Sequence, residues 1–395
     1  MKACSATLPS GERVDYVDRK RYYWGLSVLF PLQPLVGIAL HAATGNEFWL
    51  VAGLVATYAV GPLADFLLGP DKNNPPEAVV RQLDDDRYYR RLTWIAVPLH
   101  ATVFLGCALY AGVADLSFPG FVGLAMVAGM SAGLAINTGH ELGHKNSRFE
   151  KALAKLVLAL PAYGHFSIDH NRGHHRDVAT PGDPASARMG ENIYRFTLRE
   201  IPGAFRRAWQ IEVDRLRQRG KGAWHPSNSL LQSWGLSLGI ALSLLAAFGG
   251  SMLAYVLVHH LTAYFQLTSA NYIEHYGLLR RAGSDGRPER CAPHHSWNSN
   301  HVLSNLVLFH LERHSDHHAN PLRRYQSLRH FEDLPQLPNG YFGMYLLAYV
   351  PPLWFRIMDR RLLALSHVQG DLSNVNLCPR ARSKLLSRYG AAGPA

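Results

Sequence analysis

At 395 residues with a hydrophobic fraction of 48%, the chain is long enough for two or three soluble domains, and its average composition does not announce a membrane protein. The formal charge of +11, with 21 histidines besides, points to an anionic partner: nucleic acid, anionic lipid or an acidic protein. The four cysteines, Cys4, Cys107, Cys291 and Cys378, lie far apart and form no CxxC pair, which argues against a zinc ribbon, a rubredoxin-type iron site and a disulfide framework.

Along the chain the average breaks up. The opening segment, MKACSATLPSGERVDYVDRKR, lacks the apolar core of a cleaved signal peptide. Six stretches then approach spanning length without a Lys or Arg, at 22–44, 47–69, 92–113, 118–139, 230–248 and 251–276. A bilayer core needs roughly 20 apolar residues per helix. Every Lys and Arg falls outside them, with 5 in 1–21, 5 in 70–91, 15 in 145–229 and 15 in 277–395. A soluble helical protein would not sort its basic residues so cleanly. The positive-inside rule places those four segments on the cytoplasmic side.

The expected fold is therefore an all-α integral membrane protein of six transmembrane helices with a histidine-rich, helical cytoplasmic cap. It divides into a cytoplasmic N-terminus (1–21), spans one to four (22–144), a cytoplasmic or interfacial segment (145–229), spans five and six (230–276) and a cytoplasmic C-terminal segment (277–395). Residues 151–165 are apolar but short and broken by Pro161, which reads as an interfacial or re-entrant helix. Residues 195–219 are Arg-rich, with Phe196, Ile201, Phe205, Trp209, Ile211 and Leu216 at helical spacing, the pattern of an amphipathic surface helix. The charge thus suits anionic lipid and an acidic protein; no nucleic-acid module is visible.

Three histidine clusters carry the chemistry. They are His140-Glu-Leu-Gly-His144 at the end of span four, His170-Asn-Arg-Gly-His174-His175, and His314-Ser-Asp-His317-His318. Residues four apart share a helix face, so His140/His144, His170/His174 and His314/His318 can each aim two imidazoles at one point. His175 and His317 lie about 100° round, within reach of a second ion. A single HX3H arises often by chance, and a double His in a loop is commonly a solvated pair. Three clusters on one predicted side of one chain point instead to a two-metal centre. His275, at the end of span six, is a ninth donor by its depth. His310 reads as a core histidine beside the site, and His294, His295 and His301 as spare donors near it. Of His259 and His260, mid-span, one is expected to find a hydrogen-bond partner. Glu141, Asp169, Glu274 and Asp316 are placed to accept the second ring N–H of a ligand.

HELGH also fits the zinc-protease motif, with Glu141 as general base. That reading explains neither HX3HH nor HX2HH, and so many imidazoles exceed the four ligands of a zinc site. A histidine-rich metal transporter would need polar ligands mid-membrane, whereas these cluster at one face. Imidazole suits zinc, copper, iron and nickel alike, so ligand type alone leaves the metal open.

The three spacings together resemble the integral-membrane di-iron superfamily of fatty-acyl desaturases, hydroxylases and alkane monooxygenases. HELGHK, the GHH of the second box, NYIEHYGLLR and RHSDHHA are similar to its alkane 1-monooxygenase branch, with xylene monooxygenase nearest. NNPPE at 73–77 and VATPGDPASAR at 178–188 add to the match. The resemblance covers about residues 20 to 365, and the NYxEHYG box is its specific part. Asp169 stands where Glu is usual, and Glu312 where Gln is usual.

The resemblance implies an O2-dependent terminal hydroxylase of medium- and long-chain n-alkanes in the inner membrane of a bacterium. His140, His144, His170, His174, His175, His275, His314, His317 and His318 would hold two irons. Electrons would come from rubredoxin, itself served by a rubredoxin reductase. With no CxxC pair, this sequence leaves that donor to come from elsewhere. A fatty-acyl desaturase or a xylene monooxygenase-like lipid hydroxylase is the alternative on the same scaffold. An alkane enters from the bilayer, and Gly133, Ile136, Leu267 and Asn271, one and two turns below the ligands, are expected to line the channel end. Arg172, Arg176, Arg313, Arg323 and Arg324 are the cations expected to receive an acidic donor.

Overall fold

The first element is not helical. In this computed structural model, which describes residues 3–390, strands β1 (Ala3–Thr7) and β2 (Arg13–Val17) form an antiparallel hairpin. Gly11 turns it in the left-handed region at φ 84°, where only a residue without Cβ is unstrained. Strand alternation puts Cys4 and Tyr16, partners in register, on one face, and they pack with Val79 and Leu83. The all-α expectation misses this hairpin because its short alternation lies within a polar, charged segment.

Among the described residues, five helices are long and apolar enough to cross a membrane. They are α1 (Tyr23–Thr44), α2 (Phe48–Leu68), α3 (Arg87–Val113), α4 (Phe118–Gly143) and, after three further helices, α8 (Ser229–Phe248). Caps set several of their starts. Asp86 accepts from the Tyr88 amide, Ser117 from Gly120 and Asn228 from Leu230, each satisfying an otherwise orphaned helical N–H. Between α4 and α8 lie α5 (Arg148–Ala159), the composite helix α6 (166–177) and α7 (Ile193–Arg217). Helix α5 ends before Pro161, as expected for an interfacial helix. Helix α7 buries Phe196, Ala204, Ala208 and Leu216 while leaving Leu198 exposed.

The expected sixth span forms as α9 (Ser251–His275), but it is not among the helices apolar enough to cross alone. His259, His260, Gln266, Asn271 and Glu274 lower its hydropathy, and these polar groups turn inward rather than toward lipid. Helix α9 packs along α4. Gly129 permits the approach, since a Cβ there would overlap the His259 carbonyl. Helix α4 is the central post, with 72% of its apolar window buried against 17% for α8. Leu63, Phe66, Leu105, Leu109, Leu238, Leu242, Leu253, Leu257 and Leu261 are exposed on the outer faces, a belt of a size that soluble surfaces rarely carry.

The C-terminal third caps one end of the bundle through α10 (His314–Ala319), α11 (Tyr341–Ala348), α12 (Pro351–Leu363) and α13 (Arg382–Tyr389). Trp354 of α12 packs on Tyr272 and Tyr276 at the end of α9, with ring centroids 4.9 and 5.3 Å away. Backbone hydrogen bonds stitch three distant segments together there: Gly277 to Ala187, Asn376 to Gly277, and Met189 to Asn376.

Candidate metal centre

Four chain segments deliver imidazoles to one place. The last turn of α4 carries His140, the residue after it is His144, α6 carries His170, His174 and His175, α9 ends on His275, and α10 carries His314, His317 and His318. The nitrogens assemble into two fours. His140, His144, His170 and His317 form one, and His174, His275, His314 and His318 the other, with ligand atoms in each within 4.8 Å of one another. His140 Nε2 lies 3.0 Å from His317 Nε2, and His314 Nε2 lies 3.1 Å from His275 Nε2 and 3.0 Å from His318 Nε2. His175 sits between the groups: its Nε2 is 3.1 Å from His170 Nε2, and its ring is 4.4 Å from that of His318.

One pairing departs from the helical expectation. His140/His144 and His314/His318 each share a group, but His170 and His174 are divided between the two. Their rings stack at 5.2 Å and 28°, side by side rather than converging. The backbone between them is a wide π-helical turn, and Gly173 within it lies against Arg207, where a Cβ would overlap the guanidinium.

The outward ring nitrogens fix the tautomers. His174 Nδ1–H donates to Asp183 Oδ2 at 2.8 Å, and His275 Nδ1–H donates to the His295 carbonyl at 3.1 Å. Each bond turns an unprotonated Nε2 inward, the form that ligates a metal. Asp183 is fully buried and also accepts from Ser186 (2.7 Å) and Arg207 (2.9 Å). Burial pushes its carboxyl up, but His174 and Arg207 outweigh that and hold it below the usual range. Among these nine histidines, four buried ring nitrogens are without a hydrogen-bond partner: Nε2 of His144 and His174, and Nδ1 of His314 and His318. Orphaned polar atoms cost about 1–3 kcal/mol each, and this donor set of neutral imidazoles fits soft-to-borderline transition-metal ions.

Of the four carboxylates expected to support the ligands, only Glu274 approaches one, with Oε2 3.4 Å from His314 Nε2. Glu141 pairs with Lys145 (3.0 Å) and accepts from the Tyr325 amide (3.4 Å), so it offers no base to the histidines. Asp169 is held by Arg207 (2.6 and 3.0 Å), and Asp316 by Arg323 (2.8 and 3.1 Å) and the Arg329 amide (2.9 Å). Asp183 and the His295 carbonyl, which the sequence reading did not single out, do that work instead. The only signal for Asp183 was its place in VATPGDPASAR.

The spare histidines sort as follows. His310 donates to the Tyr325 carbonyl at 2.7 Å and lies 2.8 Å from Lys20 Nζ, in a buried charge cluster with Asp71 and Arg313. His259 and His260 face each other at 2.9 Å. His301 bonds Ser299 at 2.8 Å.

An apolar pocket approaches the centre from within the bundle. It holds about 30 Å³ of free space between α1, α2, α4, α9 and α11, lined by Phe30, Thr57, Gly133, Leu267, Phe342 and Tyr345 among others. Its lining on α4 climbs through Gly133 and Asn137, one turn short of His140. On α9 it climbs through Leu267 and Ala270, one turn short of Glu274. Gly133 and Leu267 thus line it as expected. Ile136 does not: it faces the opposite side of α4, in the core with Val157 and Leu158. Asn271 turns away as well and donates to Glu200 on α7 at 3.2 Å; burial raises that carboxyl to about 7.

Two of the five cations expected at the docking surface are interior. Arg313 is 0% exposed and donates to Asp71 (3.0 Å) and the Leu328 carbonyl (2.7 Å). Arg324 is buried in a bidentate pair with Glu150 (2.8 and 3.1 Å). A buried guanidinium requires such partners, and with them it has none to spare. Arg323 is tied to Asp316 and Glu77, while Arg172 and Arg176 are exposed.

Residues 116–348, which include all nine histidines, match the fatty acid desaturase family model. The chain is 51% identical over 379 residues to an alkane 1-monooxygenase of Alcanivorax borkumensis, covering 96% of this chain and 93% of the relative. It is 50% identical over 376 residues to an alkane 1-monooxygenase of Pseudomonas putida, covering 95% and 93%. At greater distance it is 26% identical over 350 residues to the hydroxylase component of a xylene/toluene monooxygenase of Pseudomonas putida, covering 87% and 89%.

Proposed function

The chain belongs to the fatty acid desaturase family and, within it, to the alkane 1-monooxygenases, and from that premise we propose that it hydroxylates the terminal carbon of medium- and long-chain n-alkanes with O2, giving 1-alkanols. The observation that carries the reading is two four-histidine groups, with His175 between them, one helical turn beyond the lining of an apolar pocket. The nine histidines named above would hold two iron ions. Bound there, the irons would supply O2 activation and the oxidant for an unactivated C–H bond.

The rest is the work of the chain's own residues. Phe30, Leu267 and Phe342 give an alkane the dry, apolar surroundings it leaves in the bilayer, so entry exposes no hydrocarbon to water. The lining reaches Asn137 and Ala270, one turn short of His140 and Glu274, so a chain lying along it presents a methyl end rather than a mid-chain carbon to the histidines. Asp183 and the His295 carbonyl keep His174 and His275 aimed inward through turnover.

In this reading the protein lies in a bacterial inner membrane, with 1–21, 145–229 and 277–395 on the cytoplasmic side. Rubredoxin delivers electrons to that face, with the exposed Arg172 among the cations that meet it and Arg176, paired with Asp177, close by in sequence. The test incubates the iron-loaded, reduced protein with octane and, separately, with an acyl lipid. The expected result is 1-octanol, with about two irons per chain. A double bond in the acyl lipid and no 1-octanol would identify a desaturase and overturn the proposal.

A further inference from the structure

A third gathering of imidazoles lies outside both groups. The turn Pro293–His295 brings His294 and His295 side by side, rings 4.1 Å apart, and Val368 and its neighbours bring His367 to 4.6 Å from His294. Glu289, His294 and His295 present ligand atoms within 4.8 Å of one another. His294 and His367 border an open cleft whose walls include Trp297, Asp333 and Arg361.

The hydrogen bonds assign the roles. His295, only 1% exposed, accepts the Ala292 amide on Nδ1 at 2.9 Å. The proton of its neutral ring therefore sits on Nε2, which faces Glu289 Oε1 at 3.3 Å. That nitrogen is buried without a hydrogen-bond partner, and with its proton in place His295 has no lone pair to offer as a ligand. His367 Nε2 is buried and has no hydrogen-bond partner. Burial first, then the neighbouring His294 and Arg281, lower the His367 ring to about 4, so it is neutral with a lone pair available at ordinary pH.

We propose that Glu289, His294 and His367 form a separate site for a borderline divalent cation such as Zn2+. Two imidazoles and one carboxylate, with the cleft side open to water, are a donor set such cations accept. A solvated histidine pair would leave its rings in water. Here the His295 ring is sealed and a buried nitrogen of His367 is left over.

The site lies directly behind the main centre, because the carbonyl of His295 receives the Nδ1–H of His275. It nonetheless shares no proposed ligand with that centre, and this makes the two separable. The experiment titrates Zn2+ from a chelator buffer into the iron-loaded protein in detergent and counts both metals per chain. One zinc is expected to bind while iron stays constant. Glu289→Gln and His367→Ala are each expected to weaken zinc binding at least tenfold without loss of iron. Zinc binding unchanged by both variants, zinc that enters only as iron leaves, or zinc bound only adventitiously at millimolar concentration would each overturn the proposal. Iron content reports separately on the main centre and on folding.

Discussion

The two four-histidine groups are built differently. In the group of His174, His275, His314 and His318, two rings donate outward to protein acceptors, Asp183 and the His295 carbonyl, and a third lies beside Glu274. In the group of His140, His144, His170 and His317, no ring has such an acceptor among the described residues. His170 is instead placed by stacking on Phe166 at 4.8 Å, and His140 by its contact with His317. One group is oriented by hydrogen bonds before any ion arrives, and the other by packing. Ligand rings fixed from outside bind metal more tightly and are more basic, so the first of these should hold its ion harder against a chelator.

The largest effect that tests this contrast comes from removing a ligand. His275→Ala should abolish hydroxylation and lower iron from about two per chain to about one, measured by metal analysis on purified protein. The ion that remains should be the one more readily stripped. Iron held at two in that variant would remove His275 from the ligand set.

Next comes the support itself. Asp183→Asn keeps the shape but can present its amide N–H to His174, reversing the hydrogen bond that fixes the tautomer. Loss of such a partner typically costs 10–100-fold in metal affinity, about 1.4–2.7 kcal/mol. Chelator competition should find one iron weakened by that factor and the other unchanged. Equal weakening of both would show that the two groups act as one unit and end the comparison.

A smaller effect is expected from the pocket, which approaches the packed group along α4 and the hydrogen-bonded group along α9. Ala270→Leu adds three carbons on the α9 side, one turn below Glu274. Steric discrimination in an apolar pocket is worth about 1–3 kcal/mol per methylene-sized misfit. The variant should lose kcat/KM on alkanes while retaining both irons. Iron loss would instead mean that α9 had been displaced.

Much of this was legible in the residues, for identifiable reasons. Segregation of all Lys and Arg into four segments marks the membrane helices, because burying a charge in hydrocarbon is costly wherever it falls. The histidine boxes are legible because helical spacing fixes direction to within a turn. What stayed hidden depends on contacts between distant segments. Asp183 reaches His174 from a loop with no periodicity, and Arg313 looked like a surface cation beside a histidine box until Asp71, far away in sequence, proved to be its partner. Asn271 and Ile136 sit on the expected helices, but a shift of a single residue turns a side chain by about 100°, out of the pocket and toward Glu200 or the core. The division of His170 from His174 needed the π-helical turn, which their HX3H spacing conceals.

Arg207 is the residue that the two groups share. Its guanidinium holds Asp169, next to His170 of the packed group, through Nε and Nη2, and Asp183, the anchor of His174, through Nη1. A planar fork can serve both carboxylates at once, whereas a lysine ammonium cannot reproduce that geometry. Arg207→Lys keeps the charge and should therefore leave both irons bound, yet weaken each severalfold, less than Asp183→Asn weakens its one. Because the anchored group loses only the outer half of its support, the order of iron release should survive with a narrower gap. A variant that released the His174 iron first would mean that Arg207, and not the direct bond from Asp183, sets the difference between the groups.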